Sequence, residues 1–149
     1  MQLKTLLLAH CQQYVSQRLD TVTSALEAIR QAINEETKSS VGDKHETGRA
    51  MLQLEQEKLS VQLAEAQQLE QVLGRIQLEG LPTTIGEGSL VLTGQGNYFI
   101  AISAGKVELE GRLYYLVSLA SPIGAALAGR KAGDEVSFRG QSIHILEAW

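Results

Sequence analysis

Two long runs of regularly spaced apolar residues fill the first half of the chain. Val15, Leu19, Val22, Leu26, Ile29 and Ile33 recur at alternating steps of four and three. That is the 3.5-residue period of a helix lying along a partner helix. Leu8 and Cys11 extend the stripe toward the N-terminus, and Gln17, Arg18, Asp20, Glu27, Arg30 and Gln31 fill the gaps. The pattern breaks at Lys38-Ser39-Ser40-Val41-Gly42, a polar run with a helix-stopping glycine. It resumes after Gly48, where Leu52, Leu59, Ala66 and Leu73 keep a seven-residue spacing. Leu63, Leu69 and Ile76 thicken this second stripe, and Glu55, Glu57, Lys58, Glu65 and Glu70 cover the outside. Two helices of about 30–35 residues joined by a short turn predict an antiparallel hairpin. At about 1.5 Å per residue, such an arm is about 45–50 Å long. Its core is a thin seam, so a polar residue at Leu26 or Leu59 is expected to splay it.

Near residue 80 the composition changes. Glycine becomes frequent, and both prolines, Pro82 and Pro122, lie beyond that point. Pro82, in Leu81-Pro82-Thr83-Thr84, is expected to stop the second helix and open a linker. Short strand patterns follow at Ser89–Thr93, Tyr98–Ile102, Lys106–Glu110, Leu113–Val117, Glu135–Arg139 and Ser142–Leu146. Turns are expected at Gly94-Gln95-Gly96-Asn97, Gly111-Arg112, Gly133-Asp134 and Gly140-Gln141. Pro122 to Leu127 reads as a short helix, with proline at an N-terminal helical position behind Ser121, a good N-cap. The fold class is therefore α+β. An antiparallel coiled-coil hairpin over residues 1–78, with its tip near 39–48, precedes a small, mostly antiparallel sheet domain with one short helix over 79–149.

Charge narrows the partners. The chain of 149 residues carries a formal net charge of −4, divided equally between residues 1–78 and 79–149. No basic stripe is present to neutralise a phosphate backbone, so autonomous binding to nucleic acid is not expected and a protein partner is. The single cysteine, Cys11, allows neither an internal disulfide nor a cysteine-based zinc site. It reads as a small packing residue in a cytoplasmic protein. The run Leu6-Leu7-Leu8-Ala9 is too short for a membrane span or a secretory signal. Leu8-Ala9-His10-Cys11 has some likeness to a lipoprotein cleavage site, but the bulky His10 and the short apolar run argue against it.

Candidate chemistry concentrates at Gly42-Asp43-Lys44-His45-Glu46, where one helical pattern stops and the next starts. Two carboxylates three positions apart can hold a metal ion or orient a water. Asp43 followed three residues later by Glu46 is equally the signature of a capping box at a helix start. A capped helix start would also hold its carboxylates in place, so both readings stand. His45 reads as a solvated residue, since three ligand candidates within four residues are a weak metal signal. His10 and His144 are isolated. Ser39-Ser40 has no paired His-Asp arrangement. Gly86-Glu87-Gly88 and Gly94-Gln95-Gly96 do not continue into phosphate-binding patterns and read as turns. The chain does not look like a self-contained enzyme; any catalytic part it plays is expected to complete another protein's active site.

The layout resembles the bacterial Gre transcript-cleavage factors, which join an N-terminal coiled-coil arm to a C-terminal FKBP-like domain. The stretch from Ser121-Pro122-Ile123-Gly124 to Gly133-Asp134-Glu135-Val136 is similar to that family's serine-proline-isoleucine helix and the glycine-aspartate turn that follows. Ile143-His144-Ile145-Leu146-Glu147 is similar to its last strand. Gly42-Asp43 with Glu46 matches its glycine-aspartate-x-x-glutamate motif. The resemblance implies an accessory factor whose arm enters the secondary channel of RNA polymerase. Asp43 and Glu46 would then help hold a second Mg²⁺, shared with the polymerase active site, and stimulate cleavage of the 3′ end of backtracked RNA. Hard cations prefer oxygen ligands, and two metals stabilise the attacking and leaving oxygens of phosphoryl transfer. RNA would be met only through the polymerase, and no cofactor is expected on the isolated chain. Ser121, Pro122 and Ile123 would lie where the globular domain docks on the channel rim. The FKBP-like fold carries no implication of isomerase activity. After Glu46 this chain reads Thr47-Gly48-Arg49-Ala50, where the family continues with asparagine, alanine, glutamate and tyrosine. Gly48 is expected to loosen the helix start; Lys44 and Arg49 are placed either to contact RNA phosphate or to solvate the tip, with solvation slightly favoured. The departure leaves two alternatives: a non-cleaving regulator of the secondary channel, and a coiled-coil adaptor unrelated to transcription.

Overall fold

The computed structural model describes residues 2–38 and 42–149, the side chains of residues 42–46 excepted. Two long helices come first, α1 (Gln2–Lys38) and α2 (Gly42–Arg75). At about 1.5 Å rise per residue they are about 50–55 Å long. They form the hairpin that the apolar stripes predict. Val15 and Val22 on α1, and Leu59 and Ala66 on α2, are buried, while Leu26, Ile29, Leu52 and Leu63 are half-buried. Those positions keep the seam's alternation of three and four, so burial follows the pattern read from the sequence. A two-helix seam removes less area than a globular core. That explains why Leu26 stays half-exposed although it sits on the stripe.

The chain divides into two compact units, one of Met1–Tyr14 with Gln71–Trp149, the other Val15–Glu70. The first turns of α1 and the last turn of α2 therefore share a unit with the sheet. Their burial shows it. Leu7 lies off the seam period, yet it is fully buried, as is Cys11. The Cys11 thiol takes a hydrogen bond from the backbone at Ile102. Arg75 grips the Glu87 carboxylate through Nε and Nη2 at 3.0–3.1 Å.

After α2 come β1 (Leu90–Thr93), β2 (Asn97–Ala101), β3 (Gly105–Leu109), β4 (Arg112–Ser118), α3 (Pro122–Leu127), β5 (Glu135–Phe138) and β6 (Gln141–Ala148). The strands form one sheet in the order β3-β4-β2-β1-β6-β5. The pairings are antiparallel except for β2 with β4, which run parallel with Tyr98 opposite Tyr115 and Ile100 opposite Val117. The sheet is thus mixed: β4 inserts between β2 and β3. Apolar alternation along a strand reports which face is buried, not which strand lies alongside, so this parallel pair is invisible in the sequence. Two hairpin turns shift one residue earlier than the sequence reading. Glu110-Gly111 and Arg139-Gly140 both have positive φ at each central residue. That is the two-residue turn whose twist matches the flanking strands.

The core of this sheet unit gathers Ile85, Val91, Ile100, Leu127, Val136 and Ile145, with Ile123 and Val117 packed against it. Fully burying a side chain of this size contributes about 1.5–3 kcal/mol. Leu127 and Ile123 place α3 on that core.

Candidate functional site

Asp43 and Glu46 fall in the first turn of α2, which begins at Gly42. Residues three apart on a helix are neighbours on one face. The side chains of Asp43, Lys44, His45 and Glu46 lie outside the described residues. The capping and metal readings, which rest on those side chains, lie there too, and so do Ser39, Ser40 and Val41. The described chain resumes close by with a contact between the helices. A Cβ placed on Gly48 would come within 2.7 Å of the Glu36 carboxylate on α1. Gly48 therefore lies where α1 and α2 approach each other, and a larger residue there would displace Glu36. Among the described residues, no group of three His, Cys, Asp or Glu side chains is placed to hold a metal ion.

The Ser121-Pro122-Ile123-Gly124 segment is built as a helix start. Ser121 has extended backbone (φ −65°, ψ 157°), and its Oγ accepts from the Gly124 amide at 3.1 Å. The same hydroxyl donates to the Ser118 carbonyl at 2.6 Å. Pro122 occupies the first turn, where its missing N–H is no loss. Gly124 is buried, and a Cβ on it would overlap the Ser118 carbonyl oxygen. Ile123 is turned into the core. Of the three residues assigned to partner docking, Ser121 and Ile123 are engaged within the domain, and Pro122 is the exposed one.

The Gly133-Asp134 turn is equally structural. Gly133 has φ +93° and donates to the Ile145 carbonyl at 2.8 Å, and Ile145 donates back to the Asp134 carbonyl at 2.9 Å. The Asp134 carboxylate accepts from the Lys131 amide at 3.0 Å. The two stretches that carry the C-terminal resemblance, Ser121–Val136 and Ile143–Glu147, therefore meet in space. Val136 also pairs with Ile143 across β5 and β6.

Burial shifts the titration of two groups on the first turns of α1. Burial pushes the Cys11 thiol up to about 11, against the Ile102 backbone hydrogen bond, which favours the thiolate. Cys11 is an inert packing residue, since reactivity belongs to the thiolate. Burial also lowers the Lys4 ammonium below the ordinary lysine value. Lys4 was not singled out by sequence reasoning, although a signal was present. It precedes Leu7 and Cys11 at steps of three and four, which puts a cation on the apolar face of α1. No helix among the described residues is long and apolar enough to cross a membrane.

The chain thus joins a two-helix hairpin to a six-stranded mixed sheet with one short helix. No protein-family model matches it, and no curated protein does. Among solved structures it is similar to one described as that of the transcription factor Gfh1, with 22% identity over 91% of each chain and a TM-score of 0.36.

Proposed function

We propose that this chain is a Gre-like accessory factor of RNA polymerase. In this reading its hairpin enters the secondary channel, and Asp43 and Glu46 complete a second Mg²⁺ site that stimulates cleavage of backtracked RNA. The observation that carries it is the glycine-aspartate-x-x-glutamate sequence in the first turn of α2, where a long helical hairpin reverses. The second support is the pair of C-terminal segments that resemble the family and hydrogen-bond to each other around Gly133, Asp134 and Ile145. The proposed chemistry belongs to the polymerase. The factor supplies two carboxylate oxygens to a hard cation and orients a water, which suits two-metal phosphoryl transfer. Two carboxylates are too few ligands for tight Mg²⁺ binding on the isolated chain.

The test is a cleavage assay on backtracked elongation complexes from bacterial polymerase. Stimulation by the wild-type chain that is lost in Asp43→Asn and in Glu46→Gln is the expected outcome. No stimulation by the wild type, or full stimulation by both variants, would refute it. A second reading, the non-cleaving channel regulator, draws on Thr47-Gly48-Arg49 in place of the family's usual residues. It predicts polymerase binding and slowed elongation without cleavage. Failure to bind polymerase would leave the adaptor reading.

A further inference from the structure

The sheet unit contains a buried cation that the proposed function does not use. Lys4 is 3% exposed, and its ammonium has no ion pair or hydrogen bond among the described residues. An unpartnered buried ammonium is costly, and three N–H donors are left without acceptors. Lys4 lines a cavity of about 250 Å³ formed with the connection between α2 and β1, including Gln77, Thr84 and Ser89. Ser89 is 2% exposed. Its Oγ accepts from the Gly86 amide at 3.0 Å. No acceptor for its own proton is found among the described residues. Two buried donor residues, Lys4 and Ser89, therefore line one cavity, and the exposed Thr84 lines it as well.

The surrounding charge permits an anion. Glu87 borders the cavity, but Arg75 already holds its carboxylate through three contacts. Glu79, the other acid on the wall, is exposed. A neighbouring cavity of about 240 Å³ shares Pro82, Thr84 and Ser89 with the first and is bordered by Arg130 and Lys131. Neither of those side chains has an ion pair among the described residues. Three cations thus flank one loop, in a chain whose net charge is −4.

We propose that these adjoining cavities bind a small polyphosphate-bearing molecule, with a phosphate held by Lys4, Ser89 and Thr84 and its neighbour by Arg130 and Lys131. Phosphate offers only acceptors, which is what this donor set lacks, and charge-assisted hydrogen bonds to ammonium are the strong ones. The volume suits a small molecule rather than a nucleic-acid strand, in keeping with the absence of a basic stripe.

The test is isothermal titration of the full chain with inorganic pyrophosphate and with orthophosphate. Expected are binding of pyrophosphate, binding of orthophosphate about tenfold weaker, and loss of at least about tenfold in pyrophosphate affinity in Lys4→Met. Lys106→Met, at an exposed position on β3, should bind as the wild type does. Thr84→Val changes an exposed side chain and should fold whatever Lys4→Met does; it should weaken binding severalfold. No heat from the wild type with millimolar pyrophosphate would overturn the proposal. So would wild-type affinity in Lys4→Met or Thr84→Val, equal affinity for the two anions, or a loss in Lys106→Met as large as in Lys4→Met.

Discussion

Replacing Gly124 with alanine tests whether the Ser-Pro-Ile-Gly segment is built as the structure describes. Helix propensity alone favours the change, since alanine is about 1 kcal/mol better than glycine in a helix interior. The tertiary surroundings oppose it. The new Cβ would overlap the Ser118 carbonyl oxygen and lie 3.0 Å from the Ser118 carbonyl carbon and 2.9 Å from Ser121 Oγ. The first two obstacles are backbone atoms, and the third is the hydroxyl that caps α3. Overpacking of this kind costs about 1–3 kcal/mol and occasionally more, and disturbing the cap adds about 1 kcal/mol. With the propensity gain subtracted, Gly124→Ala should destabilise the sheet unit by about 1–3 kcal/mol. For a chain of this size that is roughly 2–12 °C in melting temperature. Urea and thermal unfolding can be followed by fluorescence of Trp149, the chain's single tryptophan. It exchanges backbone hydrogen bonds with Leu90 inside this unit. The control is Ala125→Gly at the adjacent exposed position, which should cost only about 0.5–1 kcal/mol. A Gly124→Ala protein as stable as the wild type, or more so, would refute the close approach of α3 to Ser118.

Cys11 and Lys4 should shape alkaline stability in opposite directions. The folded Cys11 pKa is raised from 9.0 to about 11, so its contribution is complete below pH 9 and is lost as pH rises toward 11. That two-unit shift amounts to roughly 2–3 kcal/mol, visible in denaturant midpoints of the wild type and absent from Cys11→Ala. Identical pH profiles for the two proteins would contradict it. The folded Lys4 pKa is lowered from 10.5, so the unfolded chain binds the extra proton and stability rises with pH up to that value. Lys4→Met should remove this rise, and a rise that survives the substitution would contradict the burial. In the hairpin, Leu59→Ala should cost about 2–5 kcal/mol in helix unfolding followed at 222 nm, because Leu59 is 9% exposed in the seam. Leu54→Ala, on the exposed face of the same helix, should stay within about 0.5 kcal/mol. Equal effects would mean that the seam does not hold the helices together.

Local pattern carried much of this architecture. Heptad spacing at Val15, Val22, Leu59 and Ala66 is a local property, so it can be read along the chain, and those residues are the buried ones. Ser121 before Pro122 marks a helix start because its hydroxyl reaches an amide only three residues away. The β3 strand was legible for the same reason, since the alternation along Lys106–Leu109 is a property of neighbouring residues. The acidic pair at Asp43 and Glu46 was legible as a motif at a helix start, and the structure places both residues in the first turn of α2.

What needed the fold was everything that joins distant residues. The parallel pairing of β2 with β4 follows from the route of the chain around β3, which no strand records in its own residues. Gly124 reads as a helix weakener until Ser118 is seen against it. Leu7 falls off the coiled-coil period because it is buried in the sheet unit rather than in the seam. Lys4 is an ordinary surface cation in sequence; in the fold it is buried and lines a cavity with residues of the connection between α2 and β1. The sequence by itself determined the elements and their apolar faces, because those depend on spacings of two, three and four residues. The tertiary structure alone decided which faces meet and which charges are left without a partner, because desolvation is set by residues far apart in the chain.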